Sequence, residues 1–162
     1  MDKTPLGPIL AVEDNPDDLF LLENAIDRVD LKGQVRIVRD GIEALAYLEG
    51  SGSFADRSRF PMPSLVLLDL KLPRKSGMDV LAWIRARPEL DRIPVIILSA
   101  SGTEADVRNG YDLGAVSYHV KSLGFEELLT LMRDIDRCRT SGTGGALEIH
   151  LPLPGARLRP VG

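Results

Sequence analysis

Four short apolar runs, each ending on a polar or charged residue, constrain this chain more than any other feature. Ile9-Leu10-Ala11-Val12 leads into Glu13-Asp14, and Leu65-Val66-Leu67-Leu68 leads into Asp69. Val95-Ile96-Ile97-Leu98 leads into Ser99, and residues 116–120 lead into Lys121. Helical stretches separate them. Apolar runs of this length read as strands buried on both faces of a parallel sheet. Side chains at the carboxyl ends of such strands converge on one crevice. Three carboxylates, a hydroxyl and an ammonium meeting there form a site for a divalent cation and a phosphoryl group.

The pattern alternates strand and helix five times. Strands are expected over about 8–13, 35–38, 64–69, 93–98 and 116–120. Helices are expected over about 16–29, 41–48, from Ser76 to near Pro88, 104–113 and 125–139. Asn15 reads as the first N-cap, with Pro16 in the first helical turn. Leu19, Leu22, Ile26 and Val29 keep helical spacing. Residues 50–63 form an unusually long Gly/Ser/Arg-rich connection. Strands interleaved with helices imply right-handed crossovers and a sheet covered on both faces. The expected fold class is α/β, a flavodoxin-like doubly wound (βα)5 with a parallel five-stranded sheet of order 2-1-3-4-5. That order makes strands one and three neighbours, and so also Asp14 and Asp69.

With 162 residues there is room for one domain and a small remainder. The expected division is an N-terminal segment over 1–7, the domain over 8–139 and a tail over 140–162. A net charge of −4 and the lack of a basic run argue against nucleic acid as a partner. No apolar stretch nears the roughly 20 residues that span a bilayer, so no membrane association is expected. The N-terminus lacks the apolar core of a signal peptide. The single cysteine, Cys138, excludes an internal disulfide and fits a reducing cytosol, hence a cytoplasmic location.

The motifs together carry a family resemblance. Val12-Glu13-Asp14-Asn15, Leu67-Leu68-Asp69-Leu70-Lys71-Leu72-Pro73, Gly77, Leu98-Ser99-Ala100, Gly114-Ala115 and Tyr118-His119-Val120-Lys121 occur in order and at matching spacing. Over residues 8–139 the chain resembles the receiver domain of a bacterial two-component response regulator. The resemblance implies that Asp69 is the phosphoacceptor, taking a phosphoryl group from a histidine kinase. It implies Mg²⁺, with Mn²⁺ as a possible substitute, held by Asp14, Asp69 and the Lys71 backbone carbonyl, with Glu13 acting through water. Ser99 would donate its hydroxyl to the phosphoryl group, and small Ala100 would leave room for it. Lys121 would offset its charge. Tyr118 would turn inward as Ser99 moves, changing the surface of helix four, strand five and helix five. Such a protein is a signalling phosphoacceptor; its only catalysis is its own phosphoryl transfer and autodephosphorylation.

A narrower resemblance rests on the 50–63 connection, Tyr111-Asp112-Leu113-Gly114-Ala115 and the short tail. These features resemble stand-alone receivers paired with bacterial phytochrome kinases. They imply a red-light-sensing kinase partner and a homodimer through helix four, strand five and helix five. The roughly twenty residues after helix five are too few for a DNA-binding output domain. Helix five carries Phe125, Leu128, Leu129, Leu131, Met132 and Ile135, either a broad core-facing stripe or a surplus that seeks a partner. In the tail, Leu147, Ile149 and Leu151 alternate with Glu148 and His150, the pattern of a short extended segment, which could add to a sheet edge or, as preferred here, reach across a dimer as an arm. Disorder of the tail is the alternative.

Three departures from the family pattern stand out. Ser122 follows Lys121 where most receivers have a proline in a cis peptide. A cis non-proline bond costs about 2.5–4 kcal/mol, so a trans bond is expected. Lys71 places a cation at the site entrance. Ser76 replaces a frequent aspartate, and serine caps a helix equally well.

Plainer roles compete with the functional ones. Strand-terminal Asp and Ser often only cap the next helix, as Asn15 or Thr103 could here. Trp83 and Tyr118 read as packed aromatics, and His119 and His150 are too isolated to bind metal. Cys138 reads as a packing or surface thiol, and Arg57, Arg59, Arg85 and Arg87 as solvated. A phosphorylation-independent receiver-fold adaptor is the alternative function. A Mg²⁺-dependent phosphohydrolase would need a second acid near Asp69, where Lys71 stands, and a cap that no insertion is long enough to build.

Overall fold

The computed structural model describes residues 6–121 and 124–141. Five strands, β1 (Ile9–Val12), β2 (Val35–Val38), β3 (Leu65–Leu68), β4 (Val95–Ser99) and β5 (Ser117–Val120), form one sheet of order β2-β1-β3-β4-β5. Every pairing is parallel. The helices are α1 (Pro16–Arg28), α2 (Gly41–Glu49), α3 (Gly77–Arg85), α4 (Glu104–Asp112) and α5 (Phe125–Ser141). This is the flavodoxin-like doubly wound fold that the sequence pattern predicts.

Two-residue alternation sorts the strand side chains between two cores. Leu10, Val12, Val66, Leu68, Val95, Ile97 and Tyr118 join the core beneath α2, α3 and α4. Ile9, Ala11, Leu65, Leu67 and Ile96 join the other, with Leu22 and Ile26 of α1 and Leu129, Met132 and Ile135 of α5. Leu128 and Leu131 are buried there too, and Phe125 packs against the same core partly exposed. The apolar set of α5 is therefore taken up within the protomer. The described residues with large exposed apolar side chains are Phe20, Leu21, Ile42 and Met62, none of them on α4, β5 or α5.

Helix starts follow the caps. Asn15 Oδ1 accepts from the backbone N–H groups of Asp17 and Asp18, both at 3.0 Å. Ser76 Oγ accepts from Asp79 N–H at 3.2 Å, and Thr103 Oγ1 from Asp106 N–H at 3.2 Å. Asp40, unremarked in the sequence, caps α2 through Glu43 N–H at 2.7 Å. Helix α3 ends at Arg85, short of the expected Pro88, because a residue before proline avoids helical dihedrals.

Four arginines read as solvated have definite structural contacts. Arg57 donates to the carbonyls of Tyr47, Leu48 and Phe60 at 2.8, 2.8 and 3.1 Å. The first two are last-turn carbonyls of α2, where the helical ladder runs out; the Tyr47 carbonyl also accepts from Gly50 N–H at 3.1 Å. This guanidinium, with the aromatic cluster of Tyr47, Phe54 and Phe60, orders the 50–63 connection, which holds a 3-10 turn over Gly52–Phe54. Gly50 closes α2 at φ 70°, and a side chain there would meet the Arg57 guanidinium at about 2.8 Å. Arg85 ties the Asp91, Ile93 and Gly114 carbonyls together. Arg87 stacks on Trp83 at 3.6 Å, and Arg59 on Phe60 at 5.5 Å. Fixed forks of donors satisfy carbonyls that a count of charges does not reveal.

The Lys121–Ser122 peptide and the C-terminal arm lie outside the described residues. Helix α5 runs two residues past the expected 139. Cys138 packs against the second core.

Two predictions follow from these contacts. Hydrogen bonds to a charged group contribute about 1.5–3 kcal/mol, so Arg57→Ala is expected to cost about 2 kcal/mol. Urea unfolding should show a lower midpoint at unchanged slope, and Arg57→Lys should not restore it. His119 is buried, 3.2 Å from Ser117 Oγ, and burial lowers its pKa below the ordinary 6.5. The unfolded chain then takes up the proton first on acidification. Stability from His119 is complete above about 6.5 and is lost as pH falls from there toward the folded pKa. The stability of the wild type relative to His119→Gln should rise between pH 5 and 6.5 and then level off. Parallel curves would contradict this.

Candidate functional site

Sheet geometry assembles the site. Val12 pairs with Leu68, so Glu13 and Asp69 leave adjacent strands side by side. The Val12 carbonyl accepts from Asp69 N–H at 3.1 Å, and the Val38 carbonyl from Glu13 N–H at 3.0 Å. On the far side the Ser99 carbonyl accepts from Lys121 N–H at 2.7 Å. Extending the alternation puts Glu13, Asp69 and Lys121 on the α1 and α5 face. Ser99 continues the series of Val95 and Ile97 toward the opposite face.

The centre of the pocket is the Lys121 ammonium. Its Nζ lies 2.5 Å from Glu13 Oε1, 2.8 Å from Asp18 Oδ2 and 2.9 Å from Asp69 Oδ2. Glu13 and Asp69 are each 5% exposed, so these charges are held out of water. Burial lowers the pKa of Lys121, but hydrogen bonds with Asp18, Glu13 and Asp69 outweigh it and keep the ammonium charged. Burial and neighbouring Asp69 raise Glu13 above the usual carboxylate range, against the pull of Lys121. Glu13 Oε2 also accepts from Asp14 N–H at 3.0 Å.

Asp14 is exposed beside them. One carboxylate oxygen from each of Glu13, Asp14 and Asp69 lies within 4.8 Å of the others. A set of hard oxygen donors this close suits Mg²⁺ or Ca²⁺ better than a soft metal. The helices beginning nearby are capped by Asn15 and Ser76, which frees Asp14 and Asp69 from that role.

The β3–α3 loop approaches the Asp69 backbone closely. Asp69 Oδ1 accepts from Lys71 N–H at 3.3 Å, and the Lys71 side chain is exposed. Gly77 N–H donates to the Leu70 carbonyl at 2.9 Å. A β-carbon at Gly77 would stand 2.2 Å from the Asp69 carbonyl oxygen, so only glycine fits without moving the loop.

Ser99 is buried, and its Oγ accepts from Ser101 N–H at 3.2 Å; Ala100 is exposed. Tyr118 is already inward, 6% exposed, and its hydroxyl donates to the Ser101 carbonyl at 2.6 Å. Burial raises its phenol above the ordinary value, against hydrogen bonds with Ser99 and Ser101. The Tyr111 hydroxyl on α4 accepts from Tyr118 N–H at 3.1 Å.

Glu13, Asp14, Asp69, Lys71, Ser99, Ala100 and Lys121 thus lie at the carboxyl end of the sheet or on the loops leaving it, whereas Tyr118 lies within β5 opposite Ile97. Asp18 was missed, and Tyr111, noted only as a family marker, was not expected to contact Tyr118. Acids in the first turn of a helix ordinarily complement its dipole, which masks Asp18. The available signal was its place one turn beyond Asp14, on the helix that leaves β1.

Comparison with known proteins agrees with this arrangement. Residues 9–133 match the family described as response regulator receiver domain. The response regulator Rcp1 of Synechocystis sp. is 36% identical over 135 residues, which cover 83% of this chain and 90% of Rcp1. The structure of the phosphorylated cyanobacterial phytochrome response regulator RcpA superimposes with a TM-score of 0.74 at 39% identity, covering 85% of this chain and 96% of RcpA. The Mn(2+)-bound form of Rcp1 gives a TM-score of 0.68 at 37% identity, covering 80% of this chain and 91% of that one. Fold, strand-end residues and relatives converge: the chain belongs to the response regulator receiver domain family.

Proposed function

We propose that this protein is a receiver-domain response regulator that accepts a phosphoryl group on Asp69 from a histidine kinase. One observation carries the reading: a buried Asp69 carboxylate stands 2.9 Å from the Lys121 ammonium, with Glu13 and Asp14 oxygens grouped beside it. In the step, an Asp69 oxygen bonds to phosphorus as the bond from phosphorus to the donor imidazole nitrogen breaks. The product is an acyl phosphate. Such transfer depends on placing and neutralising charge more than on covalent help from the protein.

The chain supplies these needs itself. Lys121 sets a positive charge against the phosphoryl oxygens, Ser99 donates its hydroxyl to them, and exposed Ala100 leaves room. Asp14, Asp69 and the Lys71 backbone carbonyl would hold Mg²⁺, with Glu13 acting through water and Mn²⁺ as substitute. When bound, the cation offsets charge on the phosphoryl oxygens. The oxygen donor set favours this assignment, and the relative Rcp1 is known in an Mn(2+)-bound form.

The contacts of Tyr118 support a readout. Its hydroxyl holds the carbonyl of Ser101, two residues beyond Ser99, and its N–H is bonded to α4 through Tyr111. A shift of Ser99 toward the phosphoryl group would disturb both contacts and alter the α4, β5 and α5 surface, a local charge biasing a two-state element. Because Tyr118 is already buried, the switch acts on its hydrogen bonds more than on its exposure.

Receiver domains work with histidine kinases, and relatives such as RcpA are phytochrome response regulators. We assign this chain a phytochrome-type kinase and a cytoplasmic location on that likeness. Among the described residues no helix is long and apolar enough to cross a membrane. A homodimer through α4, β5 and α5 is proposed on the likeness alone, since α5 keeps its apolar residues within the protomer.

Intact mass after exposure to acetyl phosphate tests the reading. The wild type should gain one phosphoryl group in Mg²⁺ and none in chelator, and Asp69→Asn should gain none. Folded, Mg²⁺-loaded protein that never gains the group would instead favour the adaptor function.

A further inference from the structure

Lys121 has an anchor that the acid cluster does not account for. Asp18 Oδ2 is 2.8 Å from its Nζ, as near as the Asp69 contact at 2.9 Å. Yet Asp18 stands apart from Glu13, Asp14 and Asp69, the three carboxylates grouped closely enough to share a cation. Its side chain is about one third exposed, whereas those of Glu13 and Asp69 are buried. Its backbone is well fixed. Asn15 caps the turn through Asp18 N–H, and the next residue, Leu19, is on the buried face of α1.

We propose that Asp18 is a positioning residue, holding the Lys121 ammonium beside Asp69 while the other two anchors change their state. The proposal rests on the phosphoacceptor reading of Asp69. When Asp69 becomes an acyl phosphate, its carboxylate loses its charge to a mixed carboxylic–phosphoric anhydride. Glu13 has its charge shared with any cation in the cluster. Asp18 is the one of the three anchors outside both events. A lysine ends in a mobile ammonium on a flexible four-carbon stem. Tethering it in advance removes reorganisation from the step in which its charge is needed.

A plainer role for Asp18 is to complement the dipole of α1. Asp17 shares that role: it lies in the same turn, is exposed and carries the same charge. The dipole role also does not depend on Lys121. These differences decide the test.

Two readouts on the full chain separate the possibilities. The first is the side-chain ammonium ¹H–¹⁵N signal of Lys121, assigned by its loss in Lys121→Arg. An ammonium held by three carboxylates exchanges slowly enough to be seen. It should persist in the wild type and Asp17→Ala and broaden away in Asp18→Ala. The second is the rate of phosphoryl uptake from acetyl phosphate at saturating Mg²⁺. Asp18→Ala should slow it about tenfold, less than the roughly 10²–10³ loss seen when a stabilising donor itself is removed. Asp17→Ala should not slow it, and Asp18→Ala should add nothing in a Lys121→Met background. An undisturbed ammonium signal in Asp18→Ala overturns the proposal. So does equal slowing in Asp17→Ala, or further slowing in Lys121→Met. If the wild type takes up no phosphoryl group, the phosphoacceptor reading fails separately, and the ammonium signal still decides the role of Asp18.

Discussion

The rest of the site depends on one ammonium shared among three carboxylates. Glu13 and Asp69 are buried, and like charges brought together out of water repel strongly. Lys121 reaches both and Asp18 besides. Removing one member of a buried ion network leaves the others uncompensated. The arrangement still holds more negative than positive charge, since Asp14 stands beside it with its own carboxylate. That imbalance makes the pocket receptive to a cation. The ammonium is the counter-ion that these carboxylates share.

The sheet makes this possible without special loops. Parallel strands end on the same edge, and a period of two sends residues 13, 69 and 121 to one face. β1 and β3 are adjacent, so Glu13 and Asp69 need no further device to meet. Lys121 comes from edge strand β5, two strands away from β3, and relies on its long stem to reach them. Ser99 and Tyr118 use the opposite parity. Tyr118 belongs to the α4 face, where it joins the Ser101 carbonyl to the Tyr111 hydroxyl. β5 therefore leads into the Lys121 ammonium on one face and carries the Tyr118 hydroxyl on the other.

Much of this was legible in the residues. Apolar runs marked the strands, because strands covered on both faces must be apolar throughout. Asn15, Ser76 and Thr103 marked helix starts through a local cap that tertiary packing rarely overrides. Contacts between distant segments left no such trace. Arg57 and Arg85 look like surface charges until their carbonyl partners are known, and Asp18 looks like a dipole acid until Lys121 comes within reach. The apolar positions of α5 show the limit of periodicity: a broad stripe does not reveal whether core or partner covers it. Leu128, Leu131 and Ile135 prove to be buried in the protomer.

If the ammonium is the resident counter-ion of the acid cluster, it must compete with any cation for Glu13 and Asp69. The most direct test is Mg²⁺ affinity, measured by calorimetric titration on the wild type and Lys121→Met. The account predicts tighter binding to the variant, by about tenfold or about 1.4 kcal/mol. Equal or weaker binding would contradict it, and would mean that Lys121 orders the carboxylates for the cation rather than competing with it.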